Sequence, residues 1–308
     1  MYQSILSQSG FSMDRLANFC AVADAGSIAV VAKGDSSRQS LMSRQIRELE
    51  SFFGVELVRR KGRGLEITEA GRELAAIGRQ NFNGLADYAA RCRGREWTVR
   101  LVASNSIAQW LLLPRLKAVA DARPDVKFEI FHEQTREMVA GTREGTYDVA
   151  FVRKDAVVPG LKHAVLGEVG HSLFIPATLA KKVPKSVADA LATVPMALPI
   201  GGWMREKIER MAGAQPLRVT LACTSYLQAA EAVRSGMCAA VLPDTAFSSL
   251  EGQRLHRLPL PDRFTLCIAW TPRNVDTRPA LADLIATLKT KMTVQFYSRW
   301  LLWESTTI

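Results

Sequence analysis

The fold of the N-terminal part of the chain is decided by one stretch, Ala25 to Gly71, which runs AGSIAVVAKGDSSRQSLMSRQIRELESFFGVELVRRKGRGLEITEAG. A short apolar helix leads into a polar turn at 34–37, and a second helix is predicted over Arg38 to Phe53. A basic hairpin punctuated by glycines follows. This order of elements predicts a winged helix-turn-helix, a module that places one helix in the major groove of DNA.

The second helix separates its apolar side chains from its polar ones. Its apolar stripe, which the helical spacing predicts to be buried, consists of Met42, Ile46, Leu49 and Phe53. Arginine and glutamine are the side chains that pair with guanine and adenine in the major groove. The predicted DNA contacts of this helix are Arg38, Gln39, Ser40, Ser43, Arg44 and Arg47, with Ser36 and Ser37 as candidate N-caps. On spacing alone, an amphipathic surface helix with a solvated face explains the pattern equally well.

The hairpin is predicted over Val55 to Ile67, with its turn at 59–64. Cations suit contacts to phosphates, which position a protein on DNA without reading the sequence. The predicted phosphate contacts of the hairpin are Arg59, Arg60, Lys61 and Arg63. A charge run this short is often only a solvated turn, but its place directly after the helix favours the DNA interpretation.

Composition limits the possible partners and compartments. The net charge of +10 fits a polyanionic partner, although only +3 of it lies in residues 1–97. The length of 308 residues indicates two or three domains. No apolar run approaches the roughly 20 residues that cross a bilayer, and residues 1–12 are expected to form a flexible leader rather than a secretory signal. The five scattered cysteines argue against a disulfide framework or a zinc site. We therefore expect a cytoplasmic protein without membrane contact.

Four segments of the opening stretch follow a known pattern: AGSI at 25–28, SRQIRELE at 43–50, GVEL at 54–57 and GRGLEITEAG at 62–71. With them the chain resembles the LysR-type transcriptional regulators, and the resemblance implies a DNA-binding domain over 13–71. Two positions depart from the pattern, because the family has apolar residues where Asp35 and Ser37 stand. The family's Ser-Gln-Pro turn is Arg-Gln-Ser at 38–40 here, which adds a cation at the start of the helix.

The remainder of the chain continues the resemblance. A helix is predicted from its N-cap Thr68 to about Arg93, and in the family this linker helix, placed within 72–97, pairs two subunits. From Thr98 onward strands alternate with helices, which predicts largely parallel sheets covered by helices. The expected fold class is α/β with an N-terminal winged helix-turn-helix and a two-lobed effector domain, similar to periplasmic binding proteins, over 98–292. Lobe I is predicted at about 98–175 and 271–292, and lobe II at about 176–270. The tail, 293–308, is expected to pack through its aromatic residues, Phe296, Trp300 and Trp303.

The effector site is predicted from the rule that ligands of open α/β sheets bind at the carboxyl ends of strands, near helix N-termini. In the family, the corresponding loops line the cleft between the lobes. The candidate effector-binding residues in these loops are Ser104, Asn105, Ser106, Thr135, Arg153, Trp203, Thr224 and Ser225. For each Ser or Thr, a plain helix cap explains the residue equally well. We expect a small, anionic organic effector and no metal or other cofactor.

The four histidines have no metal-ligand spacing and accompany no nucleophile motif, so we interpret them as surface or satisfied core residues and expect no enzymatic activity. The predicted function is a ligand-responsive, sequence-specific DNA-binding regulator of transcription. Its expected partners are a double-stranded DNA operator, the effector, further copies of the chain in a homodimer or homotetramer, and RNA polymerase as a candidate. The alternative is a solute-binding or enzymatic α/β protein with a helical dimerisation region, which the basic hairpin disfavours.

Overall fold

The computed structural model describes residues 10–61 and 64–294. Five elements form the DNA-binding domain: helices α1 (Met13–Ala25), α2 (Ile28–Val31) and α3 (Ser36–Phe53), and strands β1 (Val58–Lys61) and β2 (Gly64–Ile67). The two strands pair antiparallel, with Val58 opposite Ile67. The predicted winged helix-turn-helix is confirmed in this order of elements.

The core of this domain contains three of the four residues predicted for the apolar stripe of α3. Met42, Ile46 and Leu49 are buried together with Phe19 of α1. The fourth, Phe53, was predicted to be buried and is 40% exposed, because α3 ends there and the chain turns away at Gly54 (φ +68°). Three buried positions are enough to fix which face of α3 points outward.

Two residues of the predicted flexible leader belong to the folded domain. The Ser12 side chain accepts a hydrogen bond from the Arg15 N–H at 3.2 Å and caps α1. The Phe11 ring lies 5.6 Å from the ring of Phe52, so it covers the C-terminal end of α3. Residues 1–9 of the leader lie outside the described residues.

The start of α3 and the start of the wing both differ from the prediction. Asp35 is the N-cap of α3, and Ser36 and Ser37, the predicted caps, are its first two helical residues. The first wing strand begins at Val58 rather than Val55, since the backbone N–H groups of Leu57 and Val58 donate to the Glu50 carboxylate at 2.9 and 3.2 Å. A side-chain acceptor therefore satisfies backbone groups that the prediction had assigned to strand pairing.

The linker helix α4 (Glu69–Cys92) begins, as predicted, at the cap Thr68, whose hydroxyl accepts from the Gly71 N–H. Its N-terminal half packs on α1: a Cβ at Gly78 would lie 2.5 Å from the Cys20 sulfur, so this contact needs a glycine. Near the C-terminal end of the helix, Leu85 and Tyr88 are 57% and 63% exposed in the single chain. The C-terminal part of the helix thus has one face packed on lobe I through Asp87 and one exposed apolar face at Leu85 and Tyr88.

The effector domain supplies the remaining elements. In lobe I they are β3 (Trp97–Ala103), α5 (Asn105–Ile107), a π-helical turn (Ala108–Leu112), α6 (Leu113–Ala122), β4 (Val126–His132), α7 (Thr135–Arg143), β5 (Val149–Arg153) and a 3-10 turn (Lys154–Ala156). The strand β6 (Lys162–Pro176) leads to lobe II, which holds α8 (Val187–Thr193), β7 (Met196–Pro199), α9 (Trp203–Ala212), β8 (Val219–Cys223), α10 (Tyr226–Arg234), β9 (Ala239–Pro243) and a 3-10 turn (Asp244–Leu250). The strand β10 (Leu255–Trp270) returns to lobe I, which ends with α11 (Pro272–Thr277) and α12 (Pro279–Met292).

The eight strands of this domain form one mixed sheet in the order β4-β3-β5-β10-β6-β9-β7-β8. The prediction of largely parallel sheets is therefore wrong for the centre. The pairs β3–β4, β3–β5, β7–β8 and β7–β9 are parallel, whereas β10 runs antiparallel to β5 and β6, and β6 runs antiparallel to β9. The cause is the long ladder between β6 and β10, which extends from Leu255 opposite Pro176 to Trp270 opposite Lys162.

The two lobes share these long strands. Leu166 and Leu266 pack in the lobe I core, while Leu173 of β6 and Leu260 of β10 pack in a lobe II core. The predicted lobe limits at 175 and 270 thus fall at the ends of strands that serve both cores. Trp110 of the π-helical turn lies in the lobe II core with Phe174, so it carries a contact from lobe I across to lobe II.

The linker helix is attached to lobe I by a buried ion cluster. Arg278, 3% exposed, donates to the Asp87 carboxylate at 2.6 Å, to Asp148 and to the Thr98 carbonyl oxygen at 3.0 Å. Its guanidinium also lies 5.5 Å from the centre of the Trp97 ring. Burial raises the pKa of Asp87, opposed by the nearby Arg278. Removing one partner of such a cluster leaves a buried charge poorly compensated, so the contact resists separation.

Among the described residues, no helix combines the length and the apolar character needed to cross a membrane. The start of the tail is attached to β6, because the Val294 N–H donates to the Leu166 carbonyl oxygen at 2.7 Å. The predicted packing of Phe296, Trp300 and Trp303 concerns residues outside the described part of the chain.

Candidate DNA interface and effector site

The outward face of α3 carries most of the predicted DNA contacts. Arg38, Ser40, Arg44 and Arg47 are exposed, and Gln39 and Ser43 are half-buried at its edges. The Arg44 side chain is 66% exposed and lies 3.7 Å from Glu48, whereas Glu48 lies only 2.7 Å from Arg15. Because the Arg44 side chain is mostly exposed and its contact with Glu48 is long, its guanidinium remains available for a base or a phosphate.

The polar turn before α3 has a structural explanation. The Asp35 carboxylate accepts from the backbone N–H groups of Ser37 and Arg38 at 2.8 and 3.1 Å. A carboxylate in this position satisfies free N–H groups and interacts favourably with the positive end of the helix. The turn itself uses a left-handed backbone at Lys33 (φ +53°) and Gly34 (φ +80°). A charged cap thus replaces the apolar residue that the family pattern has there.

The antiparallel pairing of the wing places the adjacent residues Arg59 and Arg60, both predicted to contact phosphates, on opposite faces of the ribbon. Arg59 lies opposite Glu66 on the paired strand, and its Nε donates to Glu56 at 2.8 Å. Arg60 faces the other side of the ribbon, is exposed, and has no ion pair or side-chain hydrogen bond within the described residues. Arg60 is therefore the free cation of the two. The Lys61 side chain and Arg63 lie outside the described part of the structure, so their predicted phosphate contacts stay predictions.

Several predicted effector residues gather where the lobes meet. Ser104 is the N-cap of α5 without a capping hydrogen bond of its side chain, and its hydroxyl lies 3.4 Å from that of the buried Ser106. The helix α5, which begins with the half-buried Asn105, contacts α10 of lobe II. Ser225 caps α10 by accepting from the Leu227 N–H at 3.1 Å, so the cap explanation holds for this residue.

Arg153 and Trp203 form a direct contact between the lobes. The Arg153 guanidinium, at the carboxyl end of β5, lies 5.3 Å from the ring centre of Trp203, the first residue of α9. The N-cap of α9 is Gly202 (φ +87°), which offers no side-chain acceptor to the first N–H groups of the helix. This end of the cleft therefore combines a cation, an aromatic face and uncapped N–H donors, which together suit an anion.

Two predicted residues do not join this group. Thr135 is exposed at the first position of α7, and its hydroxyl makes no hydrogen bond within the described residues. Thr224 is exposed and directs its N–H and hydroxyl to the Gln228 side chain at 3.1 and 3.5 Å. Contacts of these two residues with an effector remain predictions.

His171 is the main residue that the sequence interpretation missed. It is 3% exposed and is surrounded by the rings of Trp203, Tyr226 and Phe264, at 5.5, 6.0 and 5.6 Å. Its ring nitrogens have no hydrogen-bond partner in the described part of the chain, so it is not the surface or satisfied histidine that was predicted. Burial lowers its pKa to about 4, which makes the imidazole neutral at physiological pH. The surrounding apolar run of β6 was the available signal.

The buried cysteines and His256 show no arrangement typical of a reactive or metal-binding site. Cys20, Cys223, Cys238 and Cys267 are buried, and burial raises the pKa of each thiol, to about 11 for Cys20. His256 bonds the Ala180 carbonyl oxygen at 2.9 Å, as expected for a satisfied histidine. No group of three or more His, Cys, Asp or Glu side chains suited to a metal occurs among the described residues.

Comparison with known proteins identifies the family to which these two domains belong. Two family models match the chain: the bacterial regulatory helix-turn-helix protein of the lysR family over residues 13–72, and the LysR substrate binding domain over residues 93–293. A probable hydrogen peroxide-inducible genes activator of Mycobacterium leprae is 25% identical over 74% of this chain and 76% of its own length. The HTH-type transcriptional regulator TcbR of Pseudomonas sp. (strain P51) is 29% identical over 78% of this chain and 88% of its own length.

A solved structure shares the fold over almost the whole chain. Full-length LysG of Corynebacterium glutamicum, with bound effector Arg, matches with a TM-score of 0.68 at 18% identity, covering 92% of this chain and 98% of its own. The two family models together account for most of the chain, from the helix-turn-helix to the end of α12. The chain belongs to the LysR family of ligand-responsive, DNA-binding transcriptional regulators, a family of regulators rather than enzymes.

Proposed function

We propose that the chain binds operator DNA as a homodimer or homotetramer and alters transcription when a small, anionic organic effector occupies the cleft between its lobes. The observation that carries the proposal is the outward face of α3, where Ser40, Arg44 and Arg47 lie opposite the buried stripe. Arginine and serine side chains on an exposed helix match the hydrogen-bonding groups of the major groove. Arg60 of the adjacent wing adds a cation for a phosphate.

Pairing of subunits is supported by the exposed apolar end of α4. Leu85 and Tyr88 lie on the face of α4 that neither α1 nor lobe I covers, so a second copy is the partner that would cover them. A two-fold pair presents two recognition helices to the two halves of a palindromic operator. Contact with RNA polymerase and a cytoplasmic location follow from this role as further parts of the proposal.

An anionic effector is supported by the charges at the cleft. Arg153 and Lys207 both lie within 6 Å of the Trp203 ring, at 5.3 and 5.9 Å. LysG was solved with arginine as its effector. In this chain Arg153 and Lys207 already lie beside the aromatic face that a cationic ligand would use, although Asp155 and Asp262 neutralise part of their charge. The proposed activity involves neither a metal nor a cofactor, and no catalysis.

A redox signal is a weaker candidate. One relative is named as a peroxide-inducible activator, and thiolates are the form of cysteine that peroxides attack. Here burial raises the pKa of four thiols, which disfavours the thiolate, and Cys92 alone among the five is exposed. These sites support a packing role for the four buried cysteines.

Fluorescence anisotropy on DNA from upstream of the protein's own coding sequence tests the proposal. We expect the wild-type protein to prefer this DNA over unrelated DNA of the same length at 150 mM salt. Arg44→Ala should reduce that preference by about 10- to 100-fold, the discrimination expected of one base-reading arginine. Arg234→Ala removes another exposed arginine, on lobe II, with its side chain 55% exposed against 66% for Arg44, and should change nothing. Equal binding of both DNAs by the wild-type protein would refute the proposal.

A further inference from the structure

The wing is too short to hold its own direction. Its strands β1 and β2 contain four residues each and form a separate two-stranded sheet. A two-stranded ribbon of this kind is marginally stable at best in water. Its position relative to the recognition helix α3 is therefore set by the contacts of its base, the segment 54–58, which joins α3 to β1 and which we call the wing base.

Glu50, in the last turn of α3, binds the wing base through its main chain and through its side chain. Its carbonyl oxygen accepts from the backbone N–H groups of Gly54 and Val55. Its side-chain Oε1 accepts from the backbone N–H groups of Leu57 at 2.9 Å and Val58 at 3.2 Å. Hydrogen bonds to a carboxylate are stronger than those to a neutral acceptor. The side chain thus fixes the first residue of β1 directly to the recognition helix.

The start of α4 holds the wing base from the other side. The Thr68 hydroxyl donates to the Glu56 carbonyl oxygen at 2.6 Å, and the Thr68 N–H donates to the Leu57 carbonyl oxygen at 3.1 Å. A Cβ at Gly71 would lie 2.2 Å from that second oxygen, so the approach of α4 leaves no room for a side chain there. These contacts restrain the wing base against α4, whereas the Glu50 carboxylate restrains it against α3.

Arg60 lies close to the attachment made by Glu50. It follows Val58 by two residues, so the two side chains stand on the same face of the ribbon, about 7 Å apart along the strand. A movement of Val58 away from α3 would displace Arg60 as well. A charge-assisted hydrogen bond to a phosphate needs a separation of about 2.7–2.9 Å, so a displacement of a few ångströms would break it.

The seating of α3 itself depends on other contacts. The Asn18 side-chain amide of α1 donates to Gln45 of α3 at 2.8 Å, and Arg15 of α1 lies 2.7 Å from Glu48 of α3. The buried apolar stripe of α3 packs on α1 as well. Glu50 takes part in none of these contacts, so removing its carboxylate should release the wing base and leave the recognition helix in place.

We propose that Glu50 is a positioning residue for the wing: its carboxylate sets the wing relative to α3 so that Arg44 and Arg60 can contact DNA at the same time. The proposal rests on the DNA contacts of these two arginines that form part of the proposed function. Without the carboxylate, the protein should keep its choice of DNA sequence and lose the phosphate contact of the wing.

Anisotropy titrations of full-length Glu50→Ala and Glu50→Gln over a salt series test the proposal. Both variants remove the same negative charge, but only glutamine keeps a side-chain oxygen that can accept from the two N–H groups. We expect Glu50→Ala to reduce the slope of log K against log salt by at least about 1.8, which is about 0.9 for each of the two wings of a dimer, and Glu50→Gln to keep the wild-type slope. The ratio of affinities for operator and unrelated DNA should be unchanged in both variants. A loss of folded protein would lower the concentration of competent protein without this change of slope.

A double-variant cycle with Arg60 gives the decisive measurement. In the Glu50→Gln protein, Arg60→Ala should reduce the slope by about 1.8, as in the wild-type protein, whereas in the Glu50→Ala protein it should change neither slope nor affinity. A full decrease in the Glu50→Ala protein would show that Arg60 still reaches its phosphate and would overturn the proposal.

Two other results would also overturn it: a wild-type slope in Glu50→Ala, or a decrease in Glu50→Gln as large as in Glu50→Ala. If Arg60→Ala leaves the wild-type slope unchanged, the wing has no phosphate contact to position, and the proposal fails together with that contact. The operator preference of the wild-type protein, measured separately, decides whether the proposed regulator stands.

Discussion

Replacing Arg60 in the wing should weaken binding to every DNA by the same factor and reduce the salt dependence of binding. Arg60 is exposed and unpaired within the described residues, whereas its neighbour Arg59 is bound to Glu56 at 2.8 Å and faces Glu66 across the ribbon. Each phosphate neutralised by a protein cation contributes about 0.9 to the slope of log K against log salt. For a dimer with two wings on DNA, Arg60→Ala should therefore reduce the slope by about 1.8.

The same slope gives the size of the effect on affinity. Between 50 and 200 mM salt, one phosphate contact changes the binding constant by about 3.5-fold, and two contacts change it by about 12-fold. The loss caused by Arg60→Ala should thus be about 12-fold greater at 50 mM than at 200 mM, on operator and unrelated DNA alike. Anisotropy titrations at several salt concentrations measure both quantities.

The ion pair beside Arg60 provides a charge-neutral control. The double variant Glu56→Gln with Arg59→Gln removes one cation and its bound carboxylate, so the net charge of the wing is unchanged. We expect its salt slope to equal that of the wild-type protein. An unchanged slope in Arg60→Ala, or an equal decrease in the double variant, would show that the distinction between the two arginines is wrong.

Three further predictions concern stability. Burial lowers the pKa of His171 to about 4, so between pH 6.5 and 4 the unfolded chain takes up a proton that the folded chain does not. The free energy of unfolding should therefore fall by roughly 3 kcal/mol between pH 7 and pH 4. Urea titrations at the two pH values measure this loss, and His171→Phe should abolish this part of it. Asp35→Ala should cost about 1 kcal/mol in thermal unfolding and Asp35→Ser much less, because serine also caps helices; an equal loss in both would contradict the capping role. Asp87→Ala should destabilise the protein by about 3 kcal/mol, because the buried Arg278 side chain, 1% exposed, loses one of its two carboxylates. A loss below about 1 kcal/mol in the same measurement would mean that Asp148 alone compensates the charge.

Local patterns in the sequence predicted the DNA-binding domain well, because each signal there depends on nearby residues. The spacing of Met42, Ile46 and Leu49 is set by the helical repeat, and the hydroxyl of Thr68 is positioned by the first turn of the helix it caps. The cap of α3 was misassigned by one residue, because Asp35, Ser36 and Ser37 are all good capping residues and only the backbone conformation selects among them.

Pairings between distant segments were beyond the reach of the same reasoning. Arg59 and Arg60 are adjacent in sequence, and only the register of β1 with β2 reveals that one faces Glu66 and the other does not. In the sequence, His171 is one polar residue in an apolar strand. The aromatic neighbours that surround it in the structure, Trp203 and Phe264, lie more than 30 residues away in the chain, so the local pattern does not predict them. The antiparallel centre of the sheet was missed for a similar reason, since strand direction depends on the path of the chain and not on the composition of each strand.

The linker helix determines how an event at the cleft can reach the DNA. Arg79 of α4 lies 2.6 Å from Asp24 of the DNA-binding domain and donates to the Glu144 carbonyl oxygen of lobe I at 2.7 Å, so one side chain joins both domains. Further along the same helix, Asp87 is held by the buried Arg278. Because separating that pair would leave a charge buried without its partner, α4 and lobe I resist moving apart. The opposite face of the same segment, with Leu85 and Tyr88, is exposed. If an effector shifts the lobes as proposed, moving α4 together with lobe I is the least costly response. In a dimer paired through Leu85 and Tyr88, that movement would change the spacing of the two recognition helices.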